Sequence, residues 1–203
     1  MMKLLRRTLI VTALAAPFGA HASANVDAPA PAFTATTADG KTVSLADYKG
    51  KTVVLEWTNH DCPYVKKHYG SGNMQAQQKA ATAQGVVWLQ VISSAPGQQG
   101  HVDGATAAKL NTDRSAAPTA TLLDPKGELG KLYGAQTTPH MYVIKGDGTL
   151  AYKGGIDSLA TPDKADIAKA EPYVTEALTA VAAGKKVEKA STRPYGCSVK
   201  YAS

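Results

Sequence analysis

Two runs of apolar residues in the first half of the chain predict strands that are buried within a sheet. Residues 52–57 are apolar and β-favouring apart from Glu56, and residues 86–92 are continuously apolar. Such runs are typical of strands that are covered on both faces. Between them, residues 63–69 and 74–83 are expected to form two helices. The centre of the chain therefore alternates strands with helices.

Two hairpins are predicted on either side of this centre. Ala38-Asp39-Gly40 separates two short β-favouring stretches, and Gly146-Asp147-Gly148 separates two more. The remaining predicted elements are a strand at 119–123 and helical segments at 105–111, 128–133, 163–170 and 172–183. This order predicts an α/β fold in one domain, with a mixed, largely parallel sheet, helices on both faces and an N-terminal β-hairpin. No internal repeat or second domain is expected.

A cysteine lies where the first buried strand gives way to a helix. Polar residues 58–61 separate the strand from Cys62, and Pro63 follows at once. Proline is favoured in the first turn of a helix. Unpaired backbone N–H groups and the helix dipole at that position favour thiolate over thiol. We therefore expect Cys62 to be a nucleophile that solvent can reach, and not a cysteine that only packs in the core.

The N-terminus has the pattern of a secretory signal peptide. Lys3, Arg6 and Arg7 precede a short apolar stretch, and small residues near Ala24 offer a cleavage site. We expect residues 1–24 to be this peptide, residues 25–184 the domain and residues 185–203 a tail. The mature protein would then be exported, to a periplasm of the Gram-negative type or to the medium.

Composition argues against two kinds of partner. Without the three N-terminal cations the net charge falls from +6 to +3, the remaining lysines are scattered, and aromatic residues are only 6%. Nucleic-acid binding would need a clustered basic face with stacking residues, so we predict no nucleic-acid partner. No later stretch approaches the apolar length of a membrane helix, so no membrane contact is expected after cleavage.

The chain has two cysteines, Cys62 and Cys197, and an exported protein can join them. Cys197 lies on the irregular tail, from which it could reach and resolve an oxidised Cys62. Alternatively, the pair could form a permanent structural disulfide in a redox-inert module that binds a partner. Two free thiols, or a bond between two chains, also remain open.

Glu56 and Pro139 are further candidates for the chemistry. An acid inside a buried strand must be protonated, hydrogen-bonded or paired. Glu56 could accept a proton beneath Cys62, or it could pair with a lysine at the sheet edge. Pro139 opens a predicted strand, and a cis peptide there would present the backbone of Thr138 as an open edge.

Histidines provide an alternative function of another class. His60, His68 and His140 could join Cys62 as ligands for copper or another soft metal. They could equally be solvated or face a substrate. The spacing His60-x-Cys62 is a weak motif. We therefore predict no metal and no other cofactor, and keep a metal carrier using Cys62, His60 and His140 as the alternative.

Several segments resemble the thioredoxin superfamily. The strand, loop and helix that carry the thioredoxin active site are similar to VVLEWTNHDCPYV, and the cis-proline segment with the last hairpin is similar to TTPHMYVIKGDGTLAYKGGID. Two further phrases, ADGKTVSLADYKGK and LLDPKGELGKLYGA, resemble exported redoxins of the peroxiredoxin-like alkyl hydroperoxide reductase/thiol-specific antioxidant group. The resemblance covers roughly residues 28–173. It implies a thioredoxin-like fold, Cys62 as nucleophile, Glu56 as the buried acid, and a cis Pro139 that faces Cys62.

The chain departs from these families at defined positions. Val65 replaces the second cysteine of the thioredoxin Cys-x-x-C motif. The peroxiredoxin motif Pro-x-x-x-Thr-x-x-Cys is not met either, because Leu55 and Asn59 stand at the proline and threonine positions. The arginine that peroxiredoxins place near the final hairpin is absent. A local dithiol cycle is thus not available to Cys62, and strong peroxidase activity is not expected.

From these residues we expect a thiol–disulfide oxidoreductase whose partner is a protein disulfide or dithiol. Cys62 would attack, Cys197 would resolve, Glu56 would handle the proton, and Thr138 with Pro139 would align the partner backbone. An atypical peroxidase with antioxidant activity, which would act on peroxide through a sulfenic acid, is the alternative. The residues expected to contact the substrate are Asn59, His60, Pro63 and His140.

Overall fold

The structure is a computed structural model that describes residues 24–202. All but Ala24 of the predicted signal peptide lies outside the described residues. In the described part of the chain, no helix is long and apolar enough to cross a membrane.

Nine strands and five α-helices make up the described domain. The strands are β1 (Thr34–Thr37), β2 (Thr42–Ser44), β3 (Val53–Trp57), β4 (Val87–Ile92), β5 (Ala120–Leu123), β6 (Thr137–Thr138), β7 (His140–Ile144), β8 (Leu150–Gly154) and β9 (Cys197–Ser198). The helices are α1 (Pro63–Gly70), α2 (Asn73–Ala83), α3 (Gly104–Asp113), α4 (Glu128–Tyr133) and α5 (Tyr173–Ala182). Two 3₁₀ helices span Leu45–Tyr48 and Lys164–Lys169.

Seven of these strands form one mixed sheet in the order β2-β1-β5-β4-β3-β7-β8. Within this sheet, parallel pairing joins only β3 to β4 and β4 to β5. The β1–β2 hairpin and the β7–β8 hairpin join the two sides with antiparallel pairing. The predicted α/β fold with a mixed sheet and an N-terminal hairpin is confirmed. The parallel part is smaller than predicted, because both hairpins reverse the chain at the flanks.

Side chains of β3 alternate between two apolar clusters, one on each face of the sheet. Val54 packs in a cluster with residues of α1, α2 and α5, among them Val65 and Met74. Leu55 and Trp57 pack in the other cluster, which includes residues of α4. All five side chains of β3 are buried, as a central strand covered by helices on both faces requires. The strand that leads to Cys62 is therefore held rigidly from both sides.

The tail after α5 is not irregular throughout, as the sequence had predicted. Its residues Cys197 and Ser198 form β9, which pairs antiparallel with β6 in a separate two-stranded sheet. The registers are Thr137 opposite Ser198 and Thr138 opposite Cys197. This small sheet places the second cysteine beside the segment that precedes Pro139.

Candidate active site

Cys62 is the N-cap residue of α1, as the sequence predicts. Its backbone is extended, with φ −67° and ψ 126°, and Pro63 occupies the first turn. The carbonyl oxygen of Cys62 accepts the first helical hydrogen bond from the N–H of Lys66 at 2.8 Å. The sulfur therefore lies at the end of the helix where backbone N–H groups are unpaired and the dipole favours negative charge.

The environment of the Cys62 sulfur corrects one expectation, because the side chain is 0% exposed and solvent does not reach it. As a thiol, Cys62 donates to the carbonyl oxygen of Thr138 at 3.1 Å. The backbone N–H of Cys197 donates to the same sulfur at 3.4 Å. The peptide bond between Thr138 and Pro139 is cis, which confirms that prediction. The chain's own tail thus covers the predicted nucleophile.

The two cysteines carry free thiols, and each shifts the pKa of the other. Burial raises the pKa of Cys62, but hydrogen bonds from the Cys197 thiol and from the backbone N–H of Val65 and Cys197 outweigh it, so the pKa lies below the ordinary value. Burial and the hydrogen bond to Cys62 raise the pKa of Cys197 to about 11. Cys62 is therefore the more acidic thiol of the pair, and Cys197 is the one that stays protonated.

Hydrogen bonds of the three residues that follow β9 dock the end of the tail on the domain. The N–H of Val199 donates to the carbonyl oxygen of Gln136 at 2.9 Å, and the carbonyl oxygen of Lys200 accepts from the N–H of Ala95 at 2.8 Å. The hydroxyl of Tyr201 donates to the carbonyl oxygen of Ala135 at 2.7 Å. These contacts fix the segment that directly follows Cys197, and they thereby restrict the position of Cys197.

Gly196 brings the tail closest to the cis-proline segment. Its φ is +128°, a conformation that L side chains rarely adopt, and a Cβ atom built there would overlap the carbonyl oxygen of Thr138. No motif in the sequence points to Gly196 or to its neighbour Tyr195. The feature of the sequence that could have indicated them is their position directly before Cys197.

Glu56 is buried in a hydrogen-bond network of its own. Its carboxylate accepts from Tyr69 Oη at 2.7 Å, Trp88 Nε1 at 2.8 Å and Gln78 Nε2 at 3.0 Å. Burial raises the pKa of Glu56, while the Arg114 charge and these three donors act in the opposite direction. The donors come from α1, β4 and α2, so the network ties both helices to the sheet. A role for Glu56 as proton acceptor for Cys62 stays a prediction.

The residues expected to contact substrate differ in accessibility. Asn59 is 2% exposed, and it donates to the Gln99 carbonyl oxygen at 3.2 Å. His140 is 5% exposed, and its Nδ1 accepts from the N–H of Gln136 at 3.2 Å. His60 and Pro63 instead line a cavity of about 730 Å³ beside the start of α1. Only the latter two therefore lie on a surface that a ligand can reach directly.

The alternative metal set is not assembled. Within residues 24–202, no group of three or more His, Cys, Asp or Glu side chains is arranged to hold a metal ion. His60 Nε2 lies 3.4 Å from Asp61 Oδ2, whereas His140 is engaged in the backbone contact with Gln136. The structure therefore gives no support to the metal carrier that would use Cys62, His60 and His140.

The mixed sheet, the cis Pro139 and the cysteine at the start of α1 define a thioredoxin-like redoxin. The chain belongs to the AhpC/TSA family, whose sequence profile matches residues 26–153. This confirms the resemblance that the sequence motifs indicated. No curated protein matches the chain.

Solved structures of low sequence identity share this fold. An uncharacterized conserved protein from Geobacillus kaustophilus is 23% identical with a TM-score of 0.74, over 88% of this chain and 93% of that chain. A hypothetical protein from Sinorhizobium meliloti 1021 is 19% identical with a TM-score of 0.71, over 88% and 96%. A thiol:disulfide interchange protein from Bacteroides sp. is 19% identical with a TM-score of 0.51, over 71% and 88%.

Proposed function

We propose that this redoxin is an exported thiol–disulfide oxidoreductase with Cys62 as nucleophile and Cys197 as resolving cysteine. The observation that carries the proposal is the closeness of the two free cysteines, because the backbone N–H of Cys197 donates to the Cys62 sulfur at 3.4 Å. The fold shared with a thiol:disulfide interchange protein also supports an oxidoreductase. Export is supported by the signal-like pattern at residues 1–24.

The proposed reaction takes place in two exchanges. The Cys62 thiolate attacks one sulfur of a partner protein's disulfide, forms a mixed disulfide, and releases the partner's other sulfur as a thiolate that takes up a proton. Cys197 then loses its proton and attacks the Cys62 sulfur, which releases the second partner thiol. The products are a Cys62–Cys197 disulfide and a reduced partner, so two electrons pass from the pair to the partner. The reverse sequence oxidises a partner dithiol.

Ionisation states in the pair suit these roles. The nucleophile must be a thiolate when the partner arrives, and the lowered pKa of Cys62 favours that form. A resolving cysteine must stay protonated until the mixed disulfide forms, and the pKa of Cys197, about 11, keeps it so. Once Cys62 is bonded to a partner, its negative charge no longer opposes ionisation of Cys197. The second exchange is then favoured.

In the proposed reaction, the partner backbone aligns along the strand edge that Thr138 and Pro139 form. In this structure the tail occupies that edge, with Cys197 opposite Thr138. A partner polypeptide must therefore replace β9 before it reaches Cys62. After the partner has bonded to Cys62, return of the tail brings Cys197 to the mixed disulfide.

A peroxidase is the second candidate, and membership of the AhpC/TSA family favours it. In that reaction Cys62 thiolate would attack a peroxide oxygen, form a sulfenic acid and release an alcohol or water. The Cys197 thiol would then condense with the sulfenic acid to give the same disulfide and water. A small peroxide would need a smaller displacement of the tail than a protein would.

Mass spectrometry of the mature protein tests the proposal. After treatment with glutathione disulfide, non-reduced digestion is expected to yield one linked peptide that contains Cys62 and Cys197. Cys197→Ser should trap a mixed disulfide on Cys62, and Cys62→Ser should form neither product. If the wild-type protein forms no intrachain disulfide under any oxidising condition, the proposal is wrong.

Two further measurements distinguish disulfide exchange from peroxide reduction and test export. Peroxide consumption faster than that of free cysteine would favour the peroxidase, whereas reduction of a protein disulfide without it favours disulfide exchange. N-terminal sequencing of the protein recovered from cell fractions tests export. A mature N-terminus near Asn25 in the exported fraction is expected, and an intact Met1 in the cytosolic fraction would contradict export.

A further inference from the structure

A cluster of four buried polar side chains lies between the nucleophile helix and the tail. Lys67 and His68 come from α1, Asp157 from the loop after β8, and Tyr195 from the tail. Their exposed fractions are 1%, 0%, 5% and 9%, respectively. We refer to these four residues as the Tyr195 cluster. The proposed exchange reaction uses none of them directly.

The hydroxyl of Tyr195 is the central contact of the cluster. It donates its hydrogen to Asp157 Oδ1, and it lies 3.1 Å from His68 Nε2. Since the single hydroxyl hydrogen goes to Asp157, His68 must be the donor to the hydroxyl oxygen. His68 Nδ1 then accepts from the Asn73 side-chain amide at 2.8 Å. Tyr195 is therefore hydrogen-bonded both to the loop after β8 and to α1.

The charges of the Tyr195 cluster are consistent with a neutral His68 that donates to the Tyr195 hydroxyl. Burial lowers the pKa of His68 to about 4, and the nearby Lys67 adds to that effect while Asp157 opposes it. His68 is thus neutral at pH 7, with one N–H donor and one acceptor nitrogen. Lys67 Nζ lies 3.6 Å from Asp157 Oδ2 and also donates to the Leu159 carbonyl oxygen at 3.0 Å. Lys67 therefore compensates the buried carboxylate that receives the Tyr195 hydroxyl.

The cluster connects both cysteines to one framework. Lys67 and His68 lie on the helix that Cys62 begins, and Tyr195 lies two residues before Cys197. Two residues of extended chain span at most about 7 Å, so fixing Tyr195 restricts how far Cys197 can move. The ring of Tyr195 also packs edge-on against Tyr64 of α1, with centroids 5.8 Å apart.

We propose that Tyr195 is a positioning residue, whose hydrogen bonds with Asp157 and His68 hold the Cys197 thiol against Cys62. This inference rests on the proposed function, in which Cys197 resolves Cys62. With Tyr195 anchored, Cys197 has a high effective concentration at the nucleophile, and the tail covers Cys62. With the anchor removed, both properties weaken together, because the same segment provides them.

The matched variants are Tyr195→Phe and Tyr64→Phe. Tyr195→Phe keeps the ring and its packing but removes the hydroxyl that contacts Asp157 and His68. Tyr64→Phe removes a hydroxyl from the neighbouring ring, and the structure records no hydrogen bond for that hydroxyl to any of residues 24–202. Both variants are expected to fold, since each keeps the aromatic ring in place.

Equilibration with reduced and oxidised glutathione gives the first measurement. Cys62 attacks glutathione disulfide and releases one glutathione, and Cys197 then displaces the second, so two electrons pass from the protein to glutathione. We expect Tyr195→Phe to lower the effective concentration of Cys197 roughly tenfold, which is a reduction potential about 30 mV more positive. Tyr64→Phe should match the wild-type protein.

Alkylation of reduced Cys62 with iodoacetamide, followed across pH and assigned by peptide mass spectrometry, gives the second measurement. The plateau rate at high pH reports access to the thiolate, and we expect Tyr195→Phe to raise it roughly tenfold. A variant that only lowers overall stability would lower the unfolding midpoint and leave the plateau unchanged. Tyr64→Phe should leave both unchanged.

Two negative results have different meanings. If Tyr195→Phe equals the wild-type protein in both potential and plateau rate, the positioning role is wrong while the proposed function stands. If the wild-type protein forms no Cys62–Cys197 disulfide, the proposed function is wrong. The alkylation plateau then still decides whether Tyr195 holds the tail over Cys62.

Discussion

The backbone N–H of Cys197 donates to the Cys62 sulfur at 3.4 Å, although 135 residues separate the two cysteines in the chain. Thioredoxin-type sites place both cysteines on one helix turn, but here Val65 occupies the second position. In the proposed reaction the resolving thiol comes instead from a strand that pairs with the cis-proline segment. The presence of the Cys197 thiol beside Cys62 therefore depends on how stably the tail is docked.

The first prediction concerns the pKa of Cys62. Cys197→Ala removes the thiol donor while the backbone N–H at that position remains. Because donors to a thiolate lower its pKa, we expect the pKa of Cys62 to rise in this variant. The pH dependence of thiolate absorbance measures it. Cys197→Ser keeps a hydroxyl donor and should show a smaller rise; equal pKa values in all three proteins would contradict the contribution of this donor.

The second prediction concerns Gly196. Gly196→Ala places a methyl group against the Thr138 carbonyl oxygen and should push β9 away from β6. We expect disulfide formation with glutathione to slow at least tenfold and Cys62 alkylation to accelerate. Gly85→Ala is the control, because Gly85 also has a positive φ, +80°, but no atom within 4 Å of an added Cβ. If the two variants behave alike, close approach of the tail is not what matters.

The third prediction concerns stability in mild acid. Burial lowers the pKa of His140 to about 4, with Lys153 adding to the effect. An unfolded histidine titrates near 6.5, so between about pH 6.5 and 4 the unfolded chain binds a proton that the folded chain does not. The free energy of unfolding should therefore fall as pH drops through this window, by up to roughly 3 kcal/mol from His140. Urea unfolding at a series of pH values measures it.

A His140→Gln comparison isolates that contribution. Glu56 acts with the opposite sign above its unfolded pKa, because its raised pKa makes the folded state gain protons as pH falls. Subtracting the free energy of unfolding of the variant from that of the wild type at each pH cancels the contribution of Glu56, which both proteins share. We expect the variant to lose only the part of the pH dependence between about pH 6.5 and 4 that comes from His140. His68, whose pKa burial also lowers to about 4, contributes equally to both proteins. An unchanged slope would mean that His140 is not buried as a neutral group.

The fourth prediction separates two roles of Glu56. Glu56→Gln keeps the shape but turns one acceptor into a donor that faces Trp88, Tyr69 or Gln78. We expect the free energy of unfolding to fall by about 1–3 kcal/mol, because a buried donor is left unpaired. If Glu56 has only this structural role, the pKa of Cys62 and the rate of disulfide formation stay unchanged. A slower rate at unchanged pKa would instead assign Glu56 to proton transfer.

Local signals were enough to predict the position of Cys62 and the elements that hold it. The buried run 52–57 followed by Cys62 and Pro63 fixes a strand, a loop and a helix start within a short stretch, and the structure has all three. The cis Pro139 followed from resemblance and is also confirmed. The mixed sheet followed from the order of elements.

Features of the tail could not be predicted in the same way. A two-residue strand such as β9 has no periodic pattern, and its partner β6 lies 59 residues earlier. The burial of Cys62 depends on that distant pairing, so the local polar approach to Cys62 wrongly indicated an accessible sulfur. Likewise, Asn59 and His140 are buried by backbone contacts that no short motif signals.

The pairing of β6 with β9 also affects how one molecule meets another. An unpaired strand edge is a template on which a second polypeptide can add a strand, and β9 satisfies that edge while it is docked. Each departure of β9 leaves Thr137 and Thr138 with open backbone groups. Self-association should therefore increase with the lifetime of the undocked state, so that conditions which loosen the tail also make the protein more prone to form dimers.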